Sequence, residues 1–166
     1  MSLAKVNRVG KVRKPVTCEK CGVAINVGDP AVKFAVGFRG RTRVRCGKTE
    51  CFPKPSERES SLVSSVYAAQ EDADVSNAET LDDFHQIRDD VANAAREVAD
   101  EYEMSEMFEK NYDLQERADM LNSAADLLEE WEPEDDEPEG SGDDFDEWVA
   151  ATRESLQSAI DEMEIP

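Results

Sequence analysis

The hydrophobic pattern changes its period along the chain. Over residues 31–38 apolar and polar side chains alternate, and residues 42–46 alternate again after a turn at Arg39-Gly40-Arg41. Period-two alternation is typical of a strand with one buried face. The two segments therefore predict a β-hairpin, with four apolar residues on one face of its first strand: Val32, Phe34, Val36 and Phe38.

Beyond residue 60 the spacing becomes helical. Apolar residues recur every three or four positions between Leu81 and Tyr102, and Thr80 precedes them as a capping residue. The spacing resumes over residues 112–131, so a break near Asn111 predicts an antiparallel helical hairpin. An earlier helix is predicted over residues 56–70, because Ser56 and Glu59 have capping-box spacing.

The C-terminal part divides into a polar stretch and a further helix. Residues 132–144 are acidic and contain prolines and glycines, which predicts a disordered, solvated linker. Residues 145–166 then return to helical spacing. This last helix either packs on the hairpin as a three-helix bundle or remains a detachable tail.

These elements predict an α+β protein, with a small four-cysteine zinc module that contains a β-hairpin, followed by an acidic helical hairpin or three-helix bundle. The expected divisions are a flexible basic arm (1–15), the zinc module (16–60), an acidic helical region (61–131), the linker (132–144) and a C-terminal amphipathic helix (145–166).

The cysteines have metal-ligand spacing. Cys18, Cys21, Cys46 and Cys51 form the pattern C-x2-C-x24-C-x4-C, and Gly22 follows the first pair. Thiolates paired at such gaps suit tetrahedral Zn²⁺. Four sulfur ligands would leave no open position for water or substrate, which indicates a structural ion. Reduced thiols and an iron–sulfur cluster remain alternatives.

Charge is divided between the two parts of the chain. Residues 1–60 contain 14 Lys and Arg against 5 Asp and Glu, a net charge of +9, while residues 61–166 carry −29. A basic surface attracts polyanions. Acidic bias throughout the second part could also reflect adaptation to high salt, which would say nothing about partners.

The predicted second strand of the hairpin places three arginines on one face. Arg41, Arg43 and Arg45 alternate with other residues, and Arg39 and Lys33 could widen the basic stripe. Such a surface would contact DNA or RNA phosphates, with salt-sensitive affinity.

Catalytic motifs do not emerge from the sequence. His85 lies among several aspartates, but a solvated histidine at a helix edge explains it better than a catalytic role. The chain is therefore expected to be non-enzymatic. It has no apolar segment of membrane-spanning length and no signal-peptide pattern at its N-terminus, so a cytoplasmic location is expected.

Two resemblances follow from these motifs. Residues 16–72, with a cysteine knuckle, a hairpin and a second cysteine pair beside a helix start, resemble the treble-clef or zinc-ribbon class of zinc fingers. The longer layout, CxxCG, then CFPKPSERESS, VYAAQEDA and acidic helices ending in EMEIP, resembles uncharacterised phage-encoded proteins. That resemblance implies an accessory or regulatory role inside an infected cell.

The leading functional hypothesis is a zinc-finger protein that contacts nucleic acid through its basic module. One alternative is an adaptor whose acidic helices bind a protein partner or form a homodimer through the face between Leu81 and Tyr102. Another is mimicry of nucleic acid by rows of carboxylates.

Overall fold

A computed structural model describes residues 5–36, 40–59, 61–138 and 140–166. The chain divides into two compact units, Met1–Ser64 and Ser65–Pro166. The first contains antiparallel strands and the second contains long helices, so the protein is α+β. Within the described ranges, no helix has the length and apolar character needed to cross a membrane.

The first unit contains two small antiparallel sheets. Strands β1 (Asn7–Val9), β4 (Ala31–Ala35) and β5 (Thr42–Cys46) form one sheet in the order β1-β4-β5. Strands β2 (Val16–Thr17) and β3 (Ala24–Ile25) form the other. The predicted hairpin is confirmed by the pairing of β4 with β5, although Phe38 and Arg39 lie outside the described residues.

The N-terminal segment differs from the free basic arm expected for residues 1–15. Asn7–Val9 pairs with β4 as an edge strand. Val12 is buried and donates its backbone N–H to the Asp29 carbonyl at 2.9 Å. Three residues of strand are too few to show a period, so the sequence did not reveal this element.

The register of the three-stranded sheet decides which side chains share a face. Phe34 lies opposite Arg43, and Val32 lies opposite Arg45, so these four residues point to one side. Lys33 lies opposite Val44 and therefore points to the other side. The expectation that Lys33 would widen the arginine stripe is wrong.

The predicted helix over residues 56–70 is instead two helices, α1 (Pro55–Arg58) and α2 (Ser64–Asp72). Pro55 suits the first turn of α1, and the Glu57 carboxylate accepts the Lys54 backbone N–H at 2.8 Å. Glu59 is extended, with φ −92° and ψ 140°, and its carboxylate accepts the Ser61 N–H at 2.9 Å. Glu59 thus ends the first helix and does not cap a longer one.

Besides most of α2, the second unit contains three long helices: α3 (Leu81–Glu103), α4 (Tyr112–Glu129) and α5 (Asp143–Glu162). Arg96 contacts Asp126 and Glu129, whereas Glu103 contacts Asn122, so α3 and α4 run antiparallel as predicted. The predicted cap is present, since the Thr80 hydroxyl accepts the Asp83 N–H at 3.2 Å.

Helix α5 packs against the helical hairpin, so the structure has the three-helix arrangement and not the detachable tail. The Trp148 ring meets Phe84 edge-on, with centroids 5.8 Å apart, and the Gln70 amide donates to the Ile160 carbonyl at 2.8 Å. The acidic segment before α5 is partly anchored, because the Trp148 indole donates to the Asp135 carbonyl at 2.9 Å. His85 contacts the Glu132 carboxylate at 2.9 Å.

The apolar face of α3 is occupied within this unit. Its buried side chains pack against α4 and α5 and include Phe84, Val91, Ala95, Val98 and Tyr102. A homodimer through the buried part of this face would require the unit to open, so the expected homodimer stays a prediction.

Candidate metal centre and basic face

Cys18 and Cys21 lie in a tight turn that follows β2. The Gly22 N–H donates to the Cys18 carbonyl and the Cys18 N–H donates to the Val23 carbonyl, both at 2.9 Å. Gly22 has a φ of 71°, in the left-handed region that glycine adopts without steric cost. This turn directs two sulfurs toward one point.

Cys46 and Cys51 approach the same point from a strand end and a 3-10 turn. Cys46 is the last residue of β5, and Cys51 ends the turn Thr49–Cys51. The Cys51 N–H donates to the Lys48 carbonyl at 3.1 Å. The turn shortens the path between the two cysteines, which explains how a gap of four residues can still pair them.

The four sulfurs form a cluster suited to a single metal ion. All four Sγ atoms lie within 4.8 Å of one another, and those of Cys21 and Cys46 are 3.9 Å apart. Tetrahedral metal–sulfur bonds of about 2.3 Å would separate the sulfurs by about 3.8 Å. A disulfide would need a separation of about 2.05 Å, and all four cysteines are free thiols. The donor set therefore fits one ion, and a multi-iron cluster would require more widely spaced sulfurs.

Ionisation of the thiols is uneven. Burial opposes ionisation of Cys18, but backbone N–H groups of Cys21, Cys46 and Lys20 outweigh it and lower the pKa of this thiol to about 6. Hydrogen bonding with the Cys46 thiol, together with burial, raises the pKa of Cys51 to about 12. Ionisation is thus favoured at Cys18 and opposed at Cys51, and a bound cation would favour the thiolate form of both.

A small apolar shell surrounds three of the sulfurs. Cys18 and Cys51 are 1% and 3% exposed, and Cys46 is also buried, whereas Cys21 is exposed. The buried apolar residues of the same cluster are Val12, Ile25 and Ala31, with Val16 and Val44 packed against it. Few apolar side chains therefore support this core without the metal.

Arg45 is a buried structural residue. Its guanidinium makes two hydrogen bonds to the Glu57 carboxylate, at 2.7 and 2.8 Å, and lies 5.2 Å from the centre of the Phe34 ring. The hydrogen bonds from Arg45 lower the pKa of Glu57 to about 2. Arg45 is only 5% exposed, so its expected place in an exposed stripe is wrong. Helix α1 covers it, which strand alternation alone could not reveal.

Two other arginines remain exposed beside aromatic rings. The Arg43 guanidinium lies 6.0 Å from the centre of the Phe34 ring, and that of Arg8 lies 5.6 Å from the centre of the Phe52 ring. We call these four residues the arginine–phenylalanine face. Arg41 is exposed just before β5, while Lys33 is half-buried on the opposite side of the sheet.

Sequence reasoning missed Arg8 as a member of this face. Its register opposite Val32 places it on the same side of the sheet as Arg43. A strand as short as β1 gives no periodic signal, so only the pairing identifies this position.

The fold thus joins, in one chain, a small module whose four clustered cysteines could hold a metal ion and an acidic helical unit. Comparison with known protein families, curated proteins and solved structures finds no match. The chemistry of the cluster and the surfaces of the two units are therefore the basis for assigning a function.

Proposed function

We propose that the four cysteines bind one structural Zn²⁺ ion and that the module contacts nucleic acid without catalysing a reaction. The zinc assignment is supported by four thiol ligands at the spacing of a single tetrahedral ion. Four thiolates would fill the coordination sphere, so the ion would stabilise the module and would not activate water.

The arginine–phenylalanine face carries the nucleic-acid proposal. Arg8 and Arg43 are exposed cations held near aromatic rings, in a segment whose net charge is +9. Guanidinium groups bind phosphate oxygens through paired hydrogen bonds. Phe52 is 37% exposed and offers a ring on which an unpaired base could stack. The combination favours a single strand over a duplex.

The zinc assignment is tested by elemental analysis and native mass spectrometry of the purified full chain. We expect one zinc per chain and loss of that mass in a Cys18→Ser, Cys51→Ser variant. Stoichiometric iron, or full-length protein without bound metal after zinc is supplied, would contradict the assignment.

Nucleic-acid contact is tested by fluorescence anisotropy with labelled single-stranded DNA, single-stranded RNA and duplex DNA, at roughly 50 and 200 mM salt. We expect single strands to bind most tightly, and we expect their binding to weaken at higher salt. An Arg8→Gln, Arg43→Gln variant should bind at least about 10-fold more weakly, because two phosphate contacts are removed.

A matched variant controls for net charge. Lys14 and Lys20 are exposed cations of the same unit that are not part of the arginine–phenylalanine face. Lys14→Gln with Lys20→Gln removes the same charge and should weaken binding less. Equal losses in both variants would mean that only net charge matters, and absence of binding at low salt would reject the nucleic-acid proposal.

A second candidate function is that of a protein-interaction adaptor. Its specific support is on α4, where Leu127 and Tyr112 are 72% and 75% exposed. Exposed apolar side chains of this size can mark a binding surface.

A further inference from the structure

We propose that a groove between α4 and the C-terminal end of α5 binds a basic amphipathic helix of a partner protein. This inference concerns the helical unit alone and does not depend on the nucleic-acid proposal. It gives the adaptor candidate a surface and a partner of stated chemistry.

The groove has an apolar lining contributed by two helices. It has a volume of about 590 Å³. Tyr112, Met120 and Leu127 line it along α4, and Ala159 and Met163 line it at the end of α5. We call this cavity the α4/α5 groove. An apolar cleft of several hundred Å³ is large enough for the side chains of a bound helix.

The length of the groove matches several turns of helix. Tyr112 and Leu127 both line it and are 15 positions apart, so they span about 22 Å at 1.5 Å per residue. A bound helix of about 16 residues would cover this distance. Such helices insert apolar side chains at positions i, i+3 or i+4, and i+7.

The charged side chains along the rim of the groove favour an occupant of positive charge. Four carboxylates line it: Glu116, Asp119, Glu162 and Glu164. They would attract Lys and Arg on the edges of a bound helix and would repel phosphate groups. A nucleic-acid strand is therefore a poor occupant.

A second copy of this unit is also a poor occupant. Residues 61–166 carry a net charge of −29, so two copies facing each other would bring like charges together. A cationic helix neutralises the rim while its apolar side covers Leu127 and Tyr112. Charge complementarity thus favours a basic partner.

The test uses a labelled peptide of about 18 residues made only of leucine and lysine, with leucines at helical spacing. A second peptide of the same composition has leucines at alternate positions. With the zinc-loaded full chain, fluorescence anisotropy should show at least about 10-fold tighter binding of the helical peptide, because only it places its leucines on one face of a helix. Equal binding of the two peptides would overturn the proposal.

Substitutions locate the binding site. Leu127→Ser should weaken binding of the helical peptide about 10-fold, because it removes a leucine that the peptide would bury. Met104→Ser is the matched control, since Met104 is 77% exposed and does not line the groove. Equal effects of the two changes would overturn the proposal, as would unchanged binding by Leu127→Ser.

The rim and the alternative occupant are tested separately. The double variant Glu116→Gln, Asp119→Asn should weaken peptide binding several-fold at low salt and less at high salt. The control double variant Asp82→Asn, Asp90→Asn lies outside the groove and should weaken binding less. Equal losses of binding in the two variants would mean that net charge alone drives binding, and would overturn the assignment of the binding site.

A second copy of the chain as the occupant is tested by sedimentation velocity of the full chain. We expect no concentration-dependent dimer that depends on Leu127. Such a dimer would mean that a second copy covers the groove.

Discussion

The cysteine-containing module and the helical unit differ in the size of their apolar cores. The strands of the module are two to five residues long, and its cluster combines three buried cysteines with only a few apolar side chains. The helical unit has helices of 18 to 23 residues and completely buries Phe84, Leu121, Leu156 and Ile160. A bound metal would therefore add more to the stability of the module than to that of the helical unit, which can fold on its larger apolar core.

The same division applies to recognition. Exposed arginines beside aromatic rings are a property of the module, and carboxylates around an apolar groove are a property of the helical unit. By charge alone, the arginines would attract anionic partners and the carboxylates would attract cationic ones. Experiments that affect one unit and leave the other unchanged test this comparison most directly.

Metal removal should have the largest effect. A strong chelator at neutral pH should unfold the module, because structural Zn²⁺ contributes on the order of 10 kcal/mol to such folds. Hydrogen exchange followed by mass spectrometry should show loss of protection over residues 5–59 and retained protection in α3, α4 and α5. Cys18→Ser with Cys51→Ser should reproduce this pattern without a chelator. Loss of protection in all three helices as well would contradict independent stability of the helical unit.

A core truncation should affect only the helical unit. Leu121 is completely buried, so Leu121→Ala should lower the free energy of unfolding of this unit by about 2–5 kcal/mol. Both tryptophans of the chain, Trp131 and Trp148, belong to this unit, so their fluorescence during urea titration measures its unfolding. Zinc content should not change.

Leu127 provides the matched control for that experiment. It lies on the same helix as Leu121 and is 72% exposed, so Leu127→Ala should change the free energy of unfolding by less than about 0.5 kcal/mol. Similar effects of the two changes would show that the observed packing does not determine the stability of this unit.

The Arg45–Glu57 pair should stabilise only the module. Arg45→Gln leaves the half-buried Glu57 carboxylate without its two charged hydrogen bonds, at a cost of about 2 kcal/mol. The apparent zinc affinity should fall about 10- to 30-fold in competition with a coloured chelator, because binding and folding are coupled. The exposed Arg43→Gln is the matched control and should leave zinc affinity unchanged. An equal loss in both variants would show that net charge, and not this ion pair, supports the site.

The pH dependence of this pair follows from its pKa. The pKa of Glu57 is lowered to about 2 by Arg45, below the ordinary glutamate value of about 4.3. The stabilisation is therefore present above pH 4.3 and is lost as the pH falls toward 2. At neutral pH the pair makes its full contribution, so the affinity comparison is best made there.

Arg45 also shows where sequence reasoning succeeds and where it stops. Alternation placed Arg43 and Arg45 on one face of a strand, and the register agrees. It could not show that α1 covers Arg45 and leaves Arg43 exposed, because that depends on a contact between residues 12 positions apart. Long-range packing decides burial here.

Long periodic segments were easier to predict than short ones. The helix beginning after Thr80 and the hairpin of β4 and β5 repeat their patterns over enough residues to reveal their period. β1 has three residues, and the helix break after Arg58 depends on the extended conformation of Glu59. The packing of α5 depends on partners such as Phe84, which spacing alone does not specify.

The smallest expected effect is that of the cap of α3, and it sharpens the contrast between the two units. The Thr80 hydroxyl accepts the Asp83 N–H at 3.2 Å, while the Asp83 carboxylate accepts the Thr80 N–H at 3.0 Å. Thr80→Ala should lower the free energy of unfolding of the helical unit by about 1 kcal/mol, because one helix N–H loses its partner. Thr80→Ser keeps the hydroxyl and is expected to retain most of that stability. Tryptophan fluorescence should detect the difference in urea, while zinc affinity should be equal in both variants. A change in zinc affinity would mean that the helical unit contributes to the stability of the module, contrary to the separation argued from their cores.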